Sequence, residues 1–155
     1  ENVDNIKYLS DIIKATGLIA KRFKREVIYP MHPRTKSKLA SIEIPKGVRI
    51  MDPLGFYDWN HLLKESYCVI SDSGTAAEEG LFYKVPNVSL RMAVERLETI
   101  ESGGTIVSGM DINNIVESVE TAVSLPWSAR YELEEDFSPS SVVINSIRSQ
   151  ITNFF

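Results

Sequence analysis

The sequence is poor in cysteine and histidine and has no long apolar run. It contains one Cys and two His among 155 residues. A lone Cys68 cannot form an internal disulfide, and because it stands in an apolar run we expect a packed core thiol rather than a nucleophile. No apolar run approaches the roughly 18 residues that are needed to span a bilayer.

Positive charge is also in short supply. Seventeen Lys and Arg stand against 21 Asp and Glu, which gives a formal net charge of −4. This charge balance does not predict non-specific binding of nucleic acid. The composition does not predict a role at a membrane surface either. The first residues, Glu1-Asn2-Val3-Asp4, do not resemble a signal peptide, so we expect a protein of the reducing cytoplasm.

Apolar spacing divides the chain into alternating helices and strands. The length of 155 residues allows one domain with a real core, and is too short for two typical domains. The pattern predicts helices over about 4–24, over 33–40, from about 57, through about 83 after the 72–75 turn, over 94–101, from 111 until Pro126 and over about 140–153, with strands over 27–31, 48–51, 67–71, 88–90 and 105–107. Such alternation predicts an α/β fold, a parallel sheet covered by helices on both faces.

In parallel sheets of this kind, ligands bind where the strands end. Four stretches are therefore expected at one edge, namely 32–34, 53–59, 72–79 and 91–98. Within the third, Ser73, Gly74 and Thr75 offer backbone N–H groups at a helix start, which favours a phosphate. Glu78 and Glu79, one turn further along the same helix, suit the paired hydroxyls of a ribose, so a nucleotide is the natural ligand. The alternative is a capped surface loop, since Asp, Ser and Thr are ordinary N-cap residues.

Four linked motifs carry a family resemblance along nearly the whole chain. The motifs are His32-Pro33-Arg34-Thr35, Asp52 to Trp59, Ser71 to Glu79, and Glu95-Arg96-Leu97-Glu98 followed by Gly103. In order and spacing they resemble the C-terminal domain of non-hydrolysing UDP-N-acetylglucosamine 2-epimerases. The resemblance implies a three-layer α/β/α Rossmann-like domain, the C-terminal half of a glycosyltransferase-B-like enzyme, with the nucleotide in the cleft between the halves.

The resemblance also implies residue roles. Ser73, Gly74 and Thr75 match positions that bind the diphosphate, and Glu79 matches the position that holds the ribose hydroxyls. Arg96 matches the arginine of a Glu-Arg-Pro-Glu motif, and its planar fork of donors suits phosphate oxygens. The alternative for Arg96 is a surface ion pair with a neighbouring glutamate.

The segment from Phe56 to Trp59 would lie beside the uracil. Without the resemblance, Trp59 and Tyr57 are expected to be core residues, because aromatics at helical spacing usually pack inward. The resemblance implies that His32 faces the substrate cleft. The alternative is that His32 makes its hydrogen bonds to a neighbouring loop. Arg34 is expected either to face the cleft or to lie on the surface. His61 is expected to be structural or exposed.

Three departures from the family pattern leave the sugar open. Ser73-Gly74-Thr75 replaces Ser-Gly-Gly, Leu97 replaces the proline of Glu-Arg-Pro-Glu, and Ala77 replaces a common Gln. The Ser-Gly-Thr form resembles the branch acting on UDP-6-deoxy-N-acetyl sugars in capsule and O-antigen synthesis.

The resemblance implies a UDP-N-acetylglucosamine 2-epimerase, an isomerase that inverts C2 by elimination and re-addition of UDP. Its acid and base carboxylates belong to an N-terminal domain, so we expect residues 1–155 to be a single UDP-binding domain with no catalytic residue of its own except a possible cleft role for His32. Expected partners are UDP, a UDP-N-acetyl sugar, the N-terminal domain and a second subunit in a homodimer, with no cofactor and no metal ion. The alternatives are the nucleotide half of a glycosyltransferase and a non-catalytic UDP-sugar-binding module.

Overall fold

Helices and strands alternate along the chain in the order predicted from apolar spacing. The computed structural model describes residues 5–39, 42–93 and 97–126, together with positions 140, 141, 143, 144 and 147, which are helical as expected for the last helix. The helices are α1 Ile6–Phe23, α2 Pro33–Leu39, α3 Phe56–Lys64, α4 Gly74–Phe82, α5 Leu97–Glu101 and α6 Ile112–Ser124. The strands are β1 Val27–Pro30, β2 Val48–Met51, β3 Val69–Ser71, β4 Asn87–Ser89 and β5 Thr105–Val107.

All five strands pair in parallel. β1 pairs with β2, and β4 lies between β3 and β5. Pro30 is level with Met51 in one ladder, and Ser71, Ser89 and Val107 are level in the other. Within each ladder the strands therefore end at one edge, called the carboxyl edge below, and the predicted parallel arrangement is confirmed.

One face of the parallel strands is covered by α1 and α6. Ile12 and Ile19 of α1 join Ile115 and Val119 of α6 in one buried apolar cluster over Val88 of β4. An ion pair between Arg22 and Glu120 closes the outer side of this contact. Asp111 begins α6 as predicted, because its carboxylate accepts the backbone N–H groups of the second and third helical residues at 2.9 and 3.1 Å.

The opposite face carries α3 and α4. Successive residues of a strand point to opposite faces, and Val69 belongs to a second cluster whereas Ile70 packs against the first. The second cluster is small and consists of Leu63, Val69, Ala76 and Val85, with Trp59 and Tyr83 packed against it. Helices on both faces of the parallel strands make the predicted three-layer α/β/α fold.

Two glycines show how closely the helices approach the rest of the chain. A Cβ at Gly17 would lie 2.4 Å from the Cβ of Pro45, so only glycine fits at this point of α1. A Cβ at Gly80 would lie 3.2 Å from the carbonyl oxygen of Val85, which brings α4 close to β4. Cys68 is half-buried and packs against the α1–α6 cluster, as expected for a thiol in an apolar run.

Candidate functional site

The turn between β3 and α4 leaves the start of a helix open. Ser73 is the N-cap residue in extended conformation, with φ −81° and ψ 127°, but its side chain makes no capping hydrogen bond. Its own N–H donates to the hydroxyl of Ser71 at 3.0 Å, which fixes the turn. Ser73 and Thr75 are exposed and Gly74 is half-exposed. The first N–H groups of α4, at the positive end of the helix dipole, can therefore receive an anion.

Glu79 is held in place by Trp59. The indole Nε1 of Trp59 donates to Oε2 of Glu79 at 2.7 Å, and the pair is partly buried. Glu79 stands five residues after Gly74, which corresponds to about 7 Å along the helix axis. A fixed carboxylate acceptor thus follows the open helix start on the same helix.

The two aromatic residues that begin α3 point into solvent. Phe56 is 72% exposed and Tyr57 is 86% exposed, and their rings meet edge to face with centroids 5.6 Å apart. The expectation that Tyr57 is a core residue is wrong, because the first turn of α3 extends beyond the carboxyl edge, where none of the described elements covers it. Trp59, one turn further, is half-buried and packs inward on the second cluster.

The ends of β3 and β4 are joined through Arg91. Its Nε donates to the backbone carbonyl of Asp72 at 2.5 Å. Arg91 follows β4 by two residues, and sequence reasoning included it in a stretch at the carboxyl edge without giving it a role. Its position directly after a buried strand was the signal that could have singled it out. The hydrogen bond braces the turn that leads into α4.

The end of β1 lies close to the same turn. Burial, followed by the charge of Asp72, raises the pKa of the Tyr29 phenol above its ordinary value of 10.0. The phenol therefore stays protonated and acts as a neutral hydrogen-bonding group at neutral pH. His32 follows two residues after β1 and is exposed, and its carbonyl accepts the N–H of Thr35 at 2.9 Å.

Not every predicted site residue can be located. Arg96 lies outside the described residues, as does the side chain of Arg34. His61 is exposed on α3, which is one of the two placements expected for it. Within the described part of the chain, no three His, Cys, Asp or Glu side chains are grouped so that they could hold a metal ion. In the same part, no helix is both long and apolar enough to cross a membrane.

Together these groups offer three kinds of contact at one edge. The start of α4 offers N–H donors, Glu79 offers a fixed acceptor, and Phe56 offers an exposed aromatic surface. Such a set suits a ligand that combines phosphate, hydroxyl groups and a flat ring.

Comparison with known proteins identifies the family. A sequence model described as UDP-N-acetylglucosamine 2-epimerase matches residues 1–138. The chain belongs to this family. A UDP-N-acetylglucosamine 2-epimerase of Methanococcus maripaludis is 35% identical over 126 residues, which cover 77% of this chain and 34% of the relative. A UDP-2,3-diacetamido-2,3-dideoxy-D-glucuronate 2-epimerase of Pseudomonas aeruginosa is 31% identical over 123 residues, or 79% of this chain and 34% of the relative.

Solved structures agree with this assignment. The UDP-GlcNAc 2-epimerase of Methanocaldococcus jannaschii in complex with UDP-GlcNAc and UDP superimposes with a TM-score of 0.76 at 30% identity. That match covers 81% of this chain and 36% of the other. The predicted Rossmann-like fold of a glycosyltransferase-B-like epimerase is thereby confirmed. The chain spans about a third of the length of the curated family members that it matches.

Proposed function

We propose that this chain is the UDP-binding half of a 2-epimerase acting on UDP-N-acetylglucosamine or a related UDP-N-acetyl sugar. The observation that carries the proposal is the Glu79 carboxylate, held by Trp59 at 2.7 Å on the same helix whose first N–H groups are open. One helix thereby offers donors for a diphosphate and, about 7 Å along, an acceptor for a sugar. A family member of known structure has UDP-GlcNAc and UDP bound.

In the proposed complex the nucleotide lies along the carboxyl edge. Ser73, Gly74 and Thr75 bind the diphosphate through their backbone, and Glu79 accepts hydrogen bonds from the ribose hydroxyls. The uracil lies beside the segment from Phe56 to Trp59, where an exposed ring is available. Arg96 places its charge on the diphosphate, and His32 and Arg34 contact the ligand from the end of β1.

The proposed reaction inverts C2 of the sugar in two steps. A base removes the proton from C2 while the C1–O bond breaks, so that UDP leaves and a 2-acetamidoglucal forms. UDP then adds back to C1 and a proton returns to C2 from the opposite face. This chain stabilises the negative charge on departing UDP through its helix start and Arg96. The groups that move the proton belong to the other part of the enzyme, so we propose that this chain alone catalyses no turnover.

The sugar itself is proposed only as a class. Family members differ in substrate, since one relative is a UDP-2,3-diacetamido-2,3-dideoxy-D-glucuronate 2-epimerase. The Ser73-Gly74-Thr75 sequence favours a UDP-6-deoxy-N-acetyl sugar of a capsule or O-antigen pathway. We further propose that the whole enzyme works in the cytoplasm as a homodimer with an N-terminal domain that completes the cleft.

Calorimetric titration of UDP into the 155-residue chain tests the binding site. We expect weak binding, weakened further by about tenfold or more in Arg96→Ala and in Glu79→Ala, because each variant loses a charge-assisted hydrogen bond. His61→Ala is the matched control, since His61 is exposed on α3 and has no proposed contact. Unchanged affinity in both site variants would contradict the assignment, and epimerase turnover by this chain alone would contradict the division of labour.

A further inference from the structure

Two side-chain bridges connect α3 to α4 above the second cluster. In the first, the Trp59 indole donates to Glu79 at 2.7 Å. In the second, the Tyr83 hydroxyl donates to Oδ1 of Asn60 at 3.0 Å, and Nδ2 of Asn60 donates to the carbonyl of Phe56 at 2.8 Å. The first bridge ends on Glu79 of α4, and the second starts from Tyr83, the C-cap residue of α4. These two residues are four positions apart and therefore lie on one face of the helix. The bridges differ in that only the first ends on a group proposed to touch the nucleotide.

The first bridge restricts the Glu79 carboxylate. A glutamate side chain has several rotatable bonds, and ordering it on ligand binding costs conformational entropy that opposes affinity. The indole ring of Trp59 is itself fixed, because it packs on the second cluster. Its N–H engages Oε2 before any ligand arrives, which orders the carboxylate and leaves Oε1 to accept from a ligand.

The donor in this bridge is specific to the indole. A phenylalanine ring in the same place would pack on the same cluster but has no N–H, and a tyrosine carries its hydroxyl at the far end of the ring. The hydrogen bond to Glu79 therefore requires the indole N–H and is not provided by an aromatic ring without that donor. Removing only the N–H separates the orientation of Glu79 from the packing of α3.

We propose that Trp59 is a positioning residue that presents Glu79 to the ribose hydroxyls and so makes the site selective for nucleotides that carry them. The proposal rests on the proposed function, since it requires UDP at the carboxyl edge. Through Glu79, Trp59 acts only on ligands with a hydroxyl group at C2′ or C3′, whereas a contact of its ring with uracil affects every uridine nucleotide equally. A residue with a purely structural role would change the affinity for all nucleotides alike.

The test compares UDP with 2′,3′-dideoxy-UDP in calorimetric titrations of the full 155-residue chain. In the unaltered chain we expect UDP to bind about tenfold more tightly than the dideoxy nucleotide, because the hydroxyl groups bond a carboxylate. In Trp59→Phe this ratio should fall to about threefold or less through weaker UDP binding. The dideoxy nucleotide should still bind, which shows that the variant is folded. Any change in the contact between the ring at position 59 and uracil cancels in the ratio, because both nucleotides carry uracil.

Tyr83→Phe is the matched control. It removes one hydroxyl and with it the second bridge, on the same pair of helices, without touching Glu79. The ratio should remain at the unaltered value. In a Glu79→Ala background, Trp59→Phe should have no further effect on the ratio, because the two residues act as one unit.

The outcomes separate this inference from the proposed function. An unchanged ratio in Trp59→Phe, with Glu79→Ala still weakening UDP binding, would overturn the inference and leave the proposed function standing. If Glu79→Ala and Arg96→Ala also left UDP binding unchanged, both would be overturned. Should Trp59→Phe fail to fold, Trp59→Tyr supplies the same test, because a tyrosine keeps an aromatic ring at this position but has no N–H where the indole has its donor. A full ratio in folded Trp59→Tyr would equally overturn the inference.

Discussion

The two helical layers of this domain are held to the sheet in different ways. On the α1–α6 side, ten buried residues form one continuous apolar cluster, and an ion pair lies only at its margin. On the α3–α4 side, four buried residues form a small cluster, and hydrogen bonds between side chains connect the helices. The layer with the thin core and directional bonds is the one that carries the candidate site.

This difference follows from what each layer has to do. Apolar contacts are non-directional, so a large cluster gives stability without fixing a particular side-chain atom. A hydrogen bond fixes both distance and angle, which a binding group such as Glu79 requires. The small residues Ala76, Ala77 and Gly80 also let α4 lie close to the sheet, and a close approach fixes where its first turn points. The α1–α6 layer and the α3–α4 layer, which carries the candidate site, are thus stabilised by different interactions.

The largest expected effect comes from removing one fully buried side chain from each layer. Ile115→Ala and Leu63→Ala should each lower the free energy of unfolding by about 3 kcal/mol, because each leaves a cavity in a packed cluster. UDP affinity of the folded protein should be unchanged in Ile115→Ala. It should fall in Leu63→Ala, since Leu63 lies one turn beyond Trp59 on the same helix face.

Urea denaturation and UDP titration at a temperature where both variants are folded measure the two quantities. Ile115 and Leu63 are matched in size and are 0% and 1% exposed, so each serves as the control for the other. Equal UDP affinity in the two variants would contradict the expectation that only the α3–α4 layer arranges the candidate site.

A smaller effect is expected from the second bridge alone. Tyr83→Phe should lower the free energy of unfolding by about 1 kcal/mol, because it removes one partly buried hydrogen bond and leaves Asn60 without that donor. Chemical denaturation of the variant beside Asn60→Ala checks this value, since both substitutions break the same bridge. A loss well above that of Asn60→Ala would mean that the Tyr83 hydroxyl contributes through more than its hydrogen bond to Asn60.

The smallest effect is expected at the margin of the α1–α6 layer. Arg22→Ala should change the free energy of unfolding by about 0.5 kcal/mol or less, because the Arg22 side chain is 57% exposed and solvent screens its pair with Glu120. Unfolding measured at low and at high salt should give nearly the same difference between variant and unaltered chain. A loss of several kcal/mol would show that this layer also depends on polar contacts.

Much of the fold could be predicted from the sequence because its signals are local. The helical spacing of α1, the Asp111 cap of α6 and the strand predicted over 27–31 all correspond to elements of the structure. The carboxyl edge followed from parallel pairing alone. Ser73, Gly74, Thr75 and Glu79 were chosen from a strand, a turn and a helix start that are contiguous in sequence.

The contacts that arrange the site were beyond local signals. Trp59 and Glu79 are 20 residues apart, and Arg91 and Asp72 are 19 apart, so each contact depends on how neighbouring strand–helix units sit side by side. The exposure of Tyr57 likewise depends on where α3 begins relative to the sheet. A periodic pattern gives the face of a helix, but it does not reveal where the covering layer ends.

The packing of α1 on α6 also bears on the order in which the chain folds. Arg22 and Glu120 are about 100 residues apart, so this layer closes only after a long loop has been brought together. The units from β3 to β5 connect residues close in sequence, and closing them requires less chain entropy. We therefore expect the segment that carries the candidate site to form early and the first helix to dock late. The first helix would then complete the domain by packing on α6 in a late step of folding.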